Sequence, residues 1–262
     1  MKKYLHIFKT TLIEKMQSLS SGVFSFILFG LIVFILLNVW KYIYSDVSAI
    51  HGYTLNQIMW YVLLAEALWF GGSSKSFSEG ISYDIKSGNI ACKINKPYNY
   101  VLFLVSKFLG YIILRIIMFL AVGMVLGIVF VGCLQSFDAK NMFLLPIVYV
   151  LGLIISSLIY VILGLSAFWL EENKPIGWIY DKIMIFLGVM FPLEMLPLWL
   201  QPISRFTPVF VCIYGPMKLT VDFSINAFYQ IIISQVLWLI GAVFLALFVY
   251  QKGVKKINAN GG

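Results

Sequence analysis

"EGISYDIKSGNIACKINKPYNY", Glu79–Tyr100, is the longest mostly polar passage within an otherwise apolar chain. Long apolar segments flank it, Leu55–Ser74 before and Phe108–Val131 after. Crossing the hydrocarbon of a bilayer takes roughly 20 apolar residues, and both neighbours meet that length. Two spans packed side by side need only a turn of a few residues between them. The surplus chain therefore asks for a task of its own outside the bilayer.

The composition agrees with a membrane setting. Hydrophobic residues make up 61% of the 262-residue sequence and charged residues 11%, where soluble domains carry about a quarter charged residues. The mean hydropathy is +0.93. Six segments are long and apolar enough to span: Gly22–Tyr44, Leu55–Ser74, Phe108–Val131, Met142–Leu170, Ile176–Met195 and Ala227–Tyr250. The fifth is the weakest, with Asp181 and Lys182 near its start and Pro192 near its end. Together they leave no room for a soluble domain, so residues 1–262 read as one transmembrane domain.

An even number of spans puts both termini on one side. With the N-terminus inside, fourteen basic residues fall inside, among them Lys2, Lys75, Lys86, Lys96 and Lys256. Only Lys41, Lys140, Arg205 and Lys218 fall outside, and this asymmetry sets the orientation. The formal net charge of +8 thus marks the cytoplasmic face of a cell membrane rather than a nucleic-acid partner. The N-terminus has a long polar region and no small-residue cleavage site after its first apolar run, unlike a cleavable signal.

Two further segments have a distinct character. In residues 1–20, Leu5, Phe8, Leu12 and Met16 share one helical face, which predicts an amphipathic helix in the inner interface. Residues 192–222 hold Pro192, Pro197, Pro202, Pro208 and Pro216, too many for one continuous helix. They also hold Leu198, Trp199, Leu200, Val209 and Phe210, too apolar for a solvated loop. Two short helical pieces that dip into the outer leaflet and return reconcile the two. Pro192, Glu194, Pro197 and Pro208 are the candidates for an outer gate.

Catalytic and metal motifs are missing. "GGSSKS" (Gly71–Ser76) lacks the glycine before Lys75 that a phosphate-binding loop needs. Glu171 and Glu172 have no histidine or arginine at useful spacing, and Pro175 marks a turn there. Cys92, Cys133 and Cys212 form no Cys-x-x-Cys pair, although a Cys133–Cys212 bridge outside is conceivable. His6 and His51 lie far apart, so the reading assigns no catalytic residue, no metal and no cofactor to this chain.

Within the opening stretch, residues 76–98, Phe77, Ile81 and Ile85 recur every fourth residue and form a short apolar stripe. Gly88 ends that helix. Ile90, Cys92 and Ile94 alternate as in an extended return, and Pro97 marks entry to the next helix. A short helix held below the membrane is a docking element.

At this point the chain resembles the ABC-2 type permeases of ATP-binding-cassette exporters. Ile81, Asp84, Ile85, Gly88, Ile90, Lys96 and Pro97 carry the resemblance most specifically. It implies an all-α integral membrane fold with six transmembrane helices, an N-terminal interfacial helix, a cytoplasmic coupling helix and outer re-entrant helices before the last span. It also implies two separate ATPase subunits that bind ATP and Mg, a second permease copy or homologue, and alternating access. Phe77, Ile81, Asp84, Ile85 and Gly88 would then couple to the ATPase. The alternative is a secondary transporter or channel with no ATPase, which would show inverted repeats and broken helices near the midplane.

Two expectations concern the membrane interior. Phe24, Phe26, Trp60, Trp69 and Trp238 offer a surface suited to an amphipathic cargo such as a drug, peptide or lipid. Glu66 is nine residues before Lys75 and Arg115 eight past Lys107, so both lie roughly 12–13 Å above the inner boundary. Opposite charges at one depth in consecutive spans are expected to pair.

Overall fold

The computed structural model describes residues 2–17, 23–134, 143–170 and 172–260. Within them run α1 (Lys2–Gln17), α2 (Val23–Ile43), a hairpin of β1 (Ala49–Ile50) and β2 (Tyr53–Thr54), α3 (Leu55–Gly72) and α4 (Lys75–Lys86). Next come α5 (Ile90–Ile94), α6 (Tyr100–Phe130), α7 (Leu145–Leu165) and α8 (Lys174–Met184). α9 (Leu200–Arg205), α10 (Gly215–Val221) and α11 (Ile225–Asn260) complete the order.

α3 is the centre of the bundle. Every residue from Ile58 to Leu68 is buried, as expected of a helix apolar on nearly every side, with Glu66 the one charge in that stretch. Thr54 caps it, its side chain accepting from the Gln57 N–H while the Gln57 side chain accepts from the Thr54 N–H. α6 runs antiparallel against it. Gly71 meets α6 backbone to backbone, because a Cβ there would lie 2.6 Å from Ile116 Cα. At the other end Trp60 lies over Gly127 and donates from Nε1 to the Gly132 carbonyl at 3.1 Å.

α2 and α11 turn Phe24, Leu31, Phe34, Leu237, Ile240 and Phe244 outward. So much contiguous exposed apolar surface calls for lipid as the solvent. Among the described residues, four helices are long and apolar enough to cross a membrane: Phe24–Ile43, Tyr100–Phe130, Leu145–Phe168 and Ile225–Lys256. α3 and α8 fall outside that set. The first is shorter and holds Asn56, Gln57 and Glu66; the second holds Lys174, Asp181 and Lys182.

Several expected boundaries move. The third segment begins at Tyr100 rather than Phe108, because Asn99 caps it by accepting from the Leu102 N–H at 3.1 Å. The sixth extends from Ile225 to Asn260. In the fifth, α8 passes at Met184 into a π-helical turn, Ile185–Val189, and helix ends well short of Met195. Gly22 and Met142, the expected first residues of two segments, lie outside the described residues.

α1 packs along the first turns of α6. Lys3 Nζ donates to the Pro97 carbonyl at 2.6 Å, and the Tyr4 hydroxyl accepts from the Asn99 N–H at 2.9 Å. The face turned to α6 carries Tyr4, Phe8 and the buried Thr11, whereas Leu5, Ile13 and Met16 stay exposed. All three cysteines are free, with Cys212 buried and Cys133 exposed, so the conceivable bridge does not form.

Candidate functional site

The stretch between α3 and α6 folds as two short helices. α4 lays one face on α7, with Ile81 and Ile85 buried and Ile81 seated over Gly164, where an added Cβ would come within 2.7 Å. Phe77 meets Phe108 of α6 edge to face at 4.9 Å. The apolar stripe of Phe77, Ile81 and Ile85 is therefore used inside the chain, which corrects the expectation that it faces a partner. An amphipathic pattern marks a face that needs covering, and α6 and α7 cover it here.

The surface left outward is polar. Tyr83, Lys86, Ser87, Gly88, Asn89, Ala91, Cys92, Asn95 and Lys96 are all exposed. They surround the turn between α4 and α5, which two features fix. Gly88 has φ +75, a conformation that residues with a Cβ rarely adopt. Asp84 and Lys93 form an ion pair across the turn. The expected extended return over Ile90–Ile94 is instead the helix α5, since Ile90 and Ile94 also satisfy helical spacing and Ile90 is buried.

The far end of α4 and the end of α3 are tied to the bundle by contacts with α8, α7 and α6. At the start of α4, Lys75 lies 3.2 Å from the carboxylate of Asp181 in α8. That nearly fully buried carboxylate also accepts from the Tyr160 hydroxyl of α7 at 3.0 Å. Just above, Arg115 of α6 donates to the carbonyls of Phe70 at 2.7 Å and Ser73 at 3.4 Å, where α3 ends. The role of Asp181 was hidden in the sequence, where it only weakened a span. A charge near the foot of a helix is the signal that could have found it.

Arg115 thus does not pair with Glu66. Neither the ion pairs nor the hydrogen bonds among the described residues join them. The last carbonyls of a helix have no intrahelical donor and carry the negative end of its dipole. The close approach at Gly71 brings Arg115 to these acceptors. We expect Arg115→Gln to lower thermal stability by about 1–3 kcal/mol, with Glu66→Gln neutral or stabilising. The two effects should add to within about 0.5 kcal/mol in a double-mutant cycle of unfolding in detergent. A larger coupling would restore the pair.

At the opposite end of the bundle, five prolines divide the chain into short pieces. Pro192 precedes a 3₁₀ turn, Leu193–Met195. The Pro197 carbonyl accepts from Leu200 at 2.8 Å and Gln201 at 3.2 Å as α9 begins. Pro208 opens a helical run, 208–221, that passes through a π turn, Phe210–Tyr214, into α10. Three helical pieces stand where two were expected.

Glu194 is the hub of this region. Its carboxylate accepts from Tyr53 at 3.0 Å and Tyr214 at 2.6 Å, with Lys218 3.7 Å away. Burial pushes the Tyr53 phenol far above its ordinary value, so it stays a neutral donor. Lys218 sits 4.6 Å over the Tyr53 ring and bonds Asp222 at 2.6 Å. The hub joins the β hairpin, the proline-rich segment and α10. Tyr53, Tyr214 and Lys218 were not legible in advance, since each contact spans distant parts of the chain.

The remaining expected residues are scattered. Trp60 is buried against α6 and offers no cargo surface, while Phe26 stacks on Phe119 at 4.4 Å. Phe24 is exposed, Trp69 is half-buried and Trp238 lines a cavity with α7 and α8. Asn173 is buried and donates to the Leu163 carbonyl at 3.0 Å, and Glu171 lies outside the described residues. Among the described residues no three His, Cys, Asp or Glu side chains gather to hold a metal.

The family model of the ABC-2 family transporter protein matches residues 26–261. Among curated proteins nothing matches the chain.

Proposed function

The chain belongs to the ABC-2 transporter family, and from that premise we propose that it is the permease subunit of an ATP-driven exporter for an amphipathic substrate. In this reading two copies, or this chain and a homologous permease, form the pathway. Two separate ATPase subunits bind ATP and Mg and dock from the cytoplasm. α2, α3, α6, α7, α8 with its π turn, and α11 are the six spans of one domain, 1–262. α1 lies at the inner interface, 76–98 is the coupling segment, and 192–222 enters from the outer side and returns to it.

One observation supports the reading: the α4–α5 turn presents an exposed polar face on a helix, α4, whose apolar side is packed on α7. The Lys75–Asp181–Tyr160 contacts connect the start of α4 to α8 and α7, and Arg115 ties the nearby end of α3 to α6. Closing two ATPase domains over ATP would move this turn, and the tethers would carry the motion into the spans. Alternating access at the far end would then open and close the Glu194 hub. A vanadate-sensitive ATPase activity in the purified complex tests this reading. Transport that persists without any ATPase subunit would favour a secondary transporter.

Orientation has its own test. Cys92 in α5 and Cys133 beyond α6 are both free and exposed. A membrane-impermeant maleimide should label Cys133 on intact cells and reach Cys92 only after the cytoplasmic face is opened. Labelling of Cys92 on intact cells would invert the topology.

A further inference from the structure

Resting on the reading of an amphipathic cargo, we propose that the cavity beside Arg205 seats that cargo's head group, and that the head group is anionic. The cavity has a volume of about 530 Å³, within the range of small-molecule sites. Its wall comes from Ile159 of α7, Tyr180 of α8, Arg205 and Phe206 at the end of α9, and Trp238 and Leu245 of α11. Arg205 is the one charged residue on that wall among the described residues.

Arg205, counted outside by its sequence position, instead stands beside the middle of α11 and the inner half of α7. In the helical run 208–221 Pro208 stands thirteen residues before Val221, and in α11 Trp238 stands thirteen after Ile225. At 1.5 Å per residue both lie about 20 Å along their helices from the outer ends, inside a hydrocarbon slab ~30 Å thick. Arg205 immediately precedes this point and faces the same cavity.

A guanidinium at such depth calls for a counter-charge. Among the described residues Arg205 is exposed and makes no hydrogen bond or ion pair; its charge is felt at Tyr214 of the Glu194 hub, and no Asp or Glu lines the cavity itself. Its planar fork of donors matches phosphate, sulfate or carboxylate in two-point contact. Apart from Ser234 and Tyr180 the rest of the wall is apolar, and Phe206, Leu237 and Leu245 keep open surface beside it. The arrangement fits an anionic head joined to an apolar tail, taken sideways from the bilayer. A small hydrated anion has nothing to place against these walls.

The test uses the full chain in phosphatidylcholine nanodiscs. Two amphiphiles share one bromine-tipped tail and carry a phosphate or a trimethylammonium head. Bromine quenching of Trp238 is read as the difference between the native chain and Trp238→Phe. The phosphate head should half-saturate the signal at about tenfold lower concentration than the cationic one. Arg205→Gln should erase that preference and Arg205→Lys should retain part of it. Equal affinity for the two heads would overturn the proposal, as would an unchanged preference in Arg205→Gln. Displacement by inorganic phosphate at matched concentration would also overturn it, by making the site a plain anion site. The readout needs no ATPase, so failure of the exporter reading and failure of this one show up separately.

Discussion

Replacing Gly71 by valine is expected to abolish the folded permease, while Gly72→Ala one position on is expected to pass almost unnoticed. A Cβ at Gly71 would fall 2.6 Å from Ile116 Cα and 2.9 Å from its nitrogen. Those are backbone atoms, so relief requires α3 and α6 to separate. Overpacking a core costs about 1–3 kcal/mol even where side chains can yield, and a backbone clash lies at or above the top of that range. The loss would spread, because the same approach delivers Arg115 to the Phe70 carbonyl. At Gly72 the nearest foreign atom to an added Cβ is the flexible Cδ1 of Ile116 at 3.7 Å, an ordinary contact. Alanine is also the better helix former by about 1 kcal/mol. Folded yield after detergent extraction and thermal melting check both changes. Equal behaviour of the two variants would mean that α3 and α6 do not meet at Gly71.

The second large effect is expected at the coupling turn, on transport rather than on folding. Gly88 holds φ +75, yet nothing lies within 4 Å of an added Cβ. Valine there meets no steric wall, only the cost of a left-handed backbone, roughly 1–2 kcal/mol and more for a β-branched residue. The turn should relax to another shape and move its exposed face, while the bundle above stays folded. ATP-driven transport should fall, by about tenfold where the displaced turn adds about 1.4 kcal/mol to the barrier. Asn visits this conformation more readily, so Gly88→Asn should keep much of the activity. Asp84→Ala, which removes the Lys93 ion pair, should act in the same direction more weakly. Transport unchanged in Gly88→Val, with protein present in the membrane, would remove the turn from the coupling path.

The division between what was readable and what was hidden follows from range. The start of α3 at Leu55 was legible because the apolar run begins there, and the structure adds the Thr54–Gln57 cap that fixes it. The long apolar helices were legible because hydrocarbon demands length and composition, which are properties of a segment. The stripe of Phe77, Ile81 and Ile85 was legible as a face but not as a contact, since periodicity says nothing of what covers it. Glu66 and Arg115 matched in depth, yet the free carbonyls at the end of α3 lay closer to Arg115. Five residues, Ile90–Ile94, were too few to tell a period of two from one of four. Glycine at 71 carries no side chain to read, and its importance exists only once α6 is beside it. The Glu194 hub joins residues 141 positions apart, which no local pattern encodes.

Docking of an ATPase subunit on the α4–α5 turn, as proposed above, can be tested directly at Cys92. Cys92 is native, free and exposed on α5. A short photo-reactive maleimide attached there, in membranes containing the whole complex, should cross-link to a subunit carrying a Gly-x-x-x-x-Gly-Lys-Ser/Thr loop. Cys92→Ser should lose that adduct. A complex that hydrolyses ATP and transports, yet gives no ATPase adduct at Cys92 or gives one from Cys133 instead, would contradict the account.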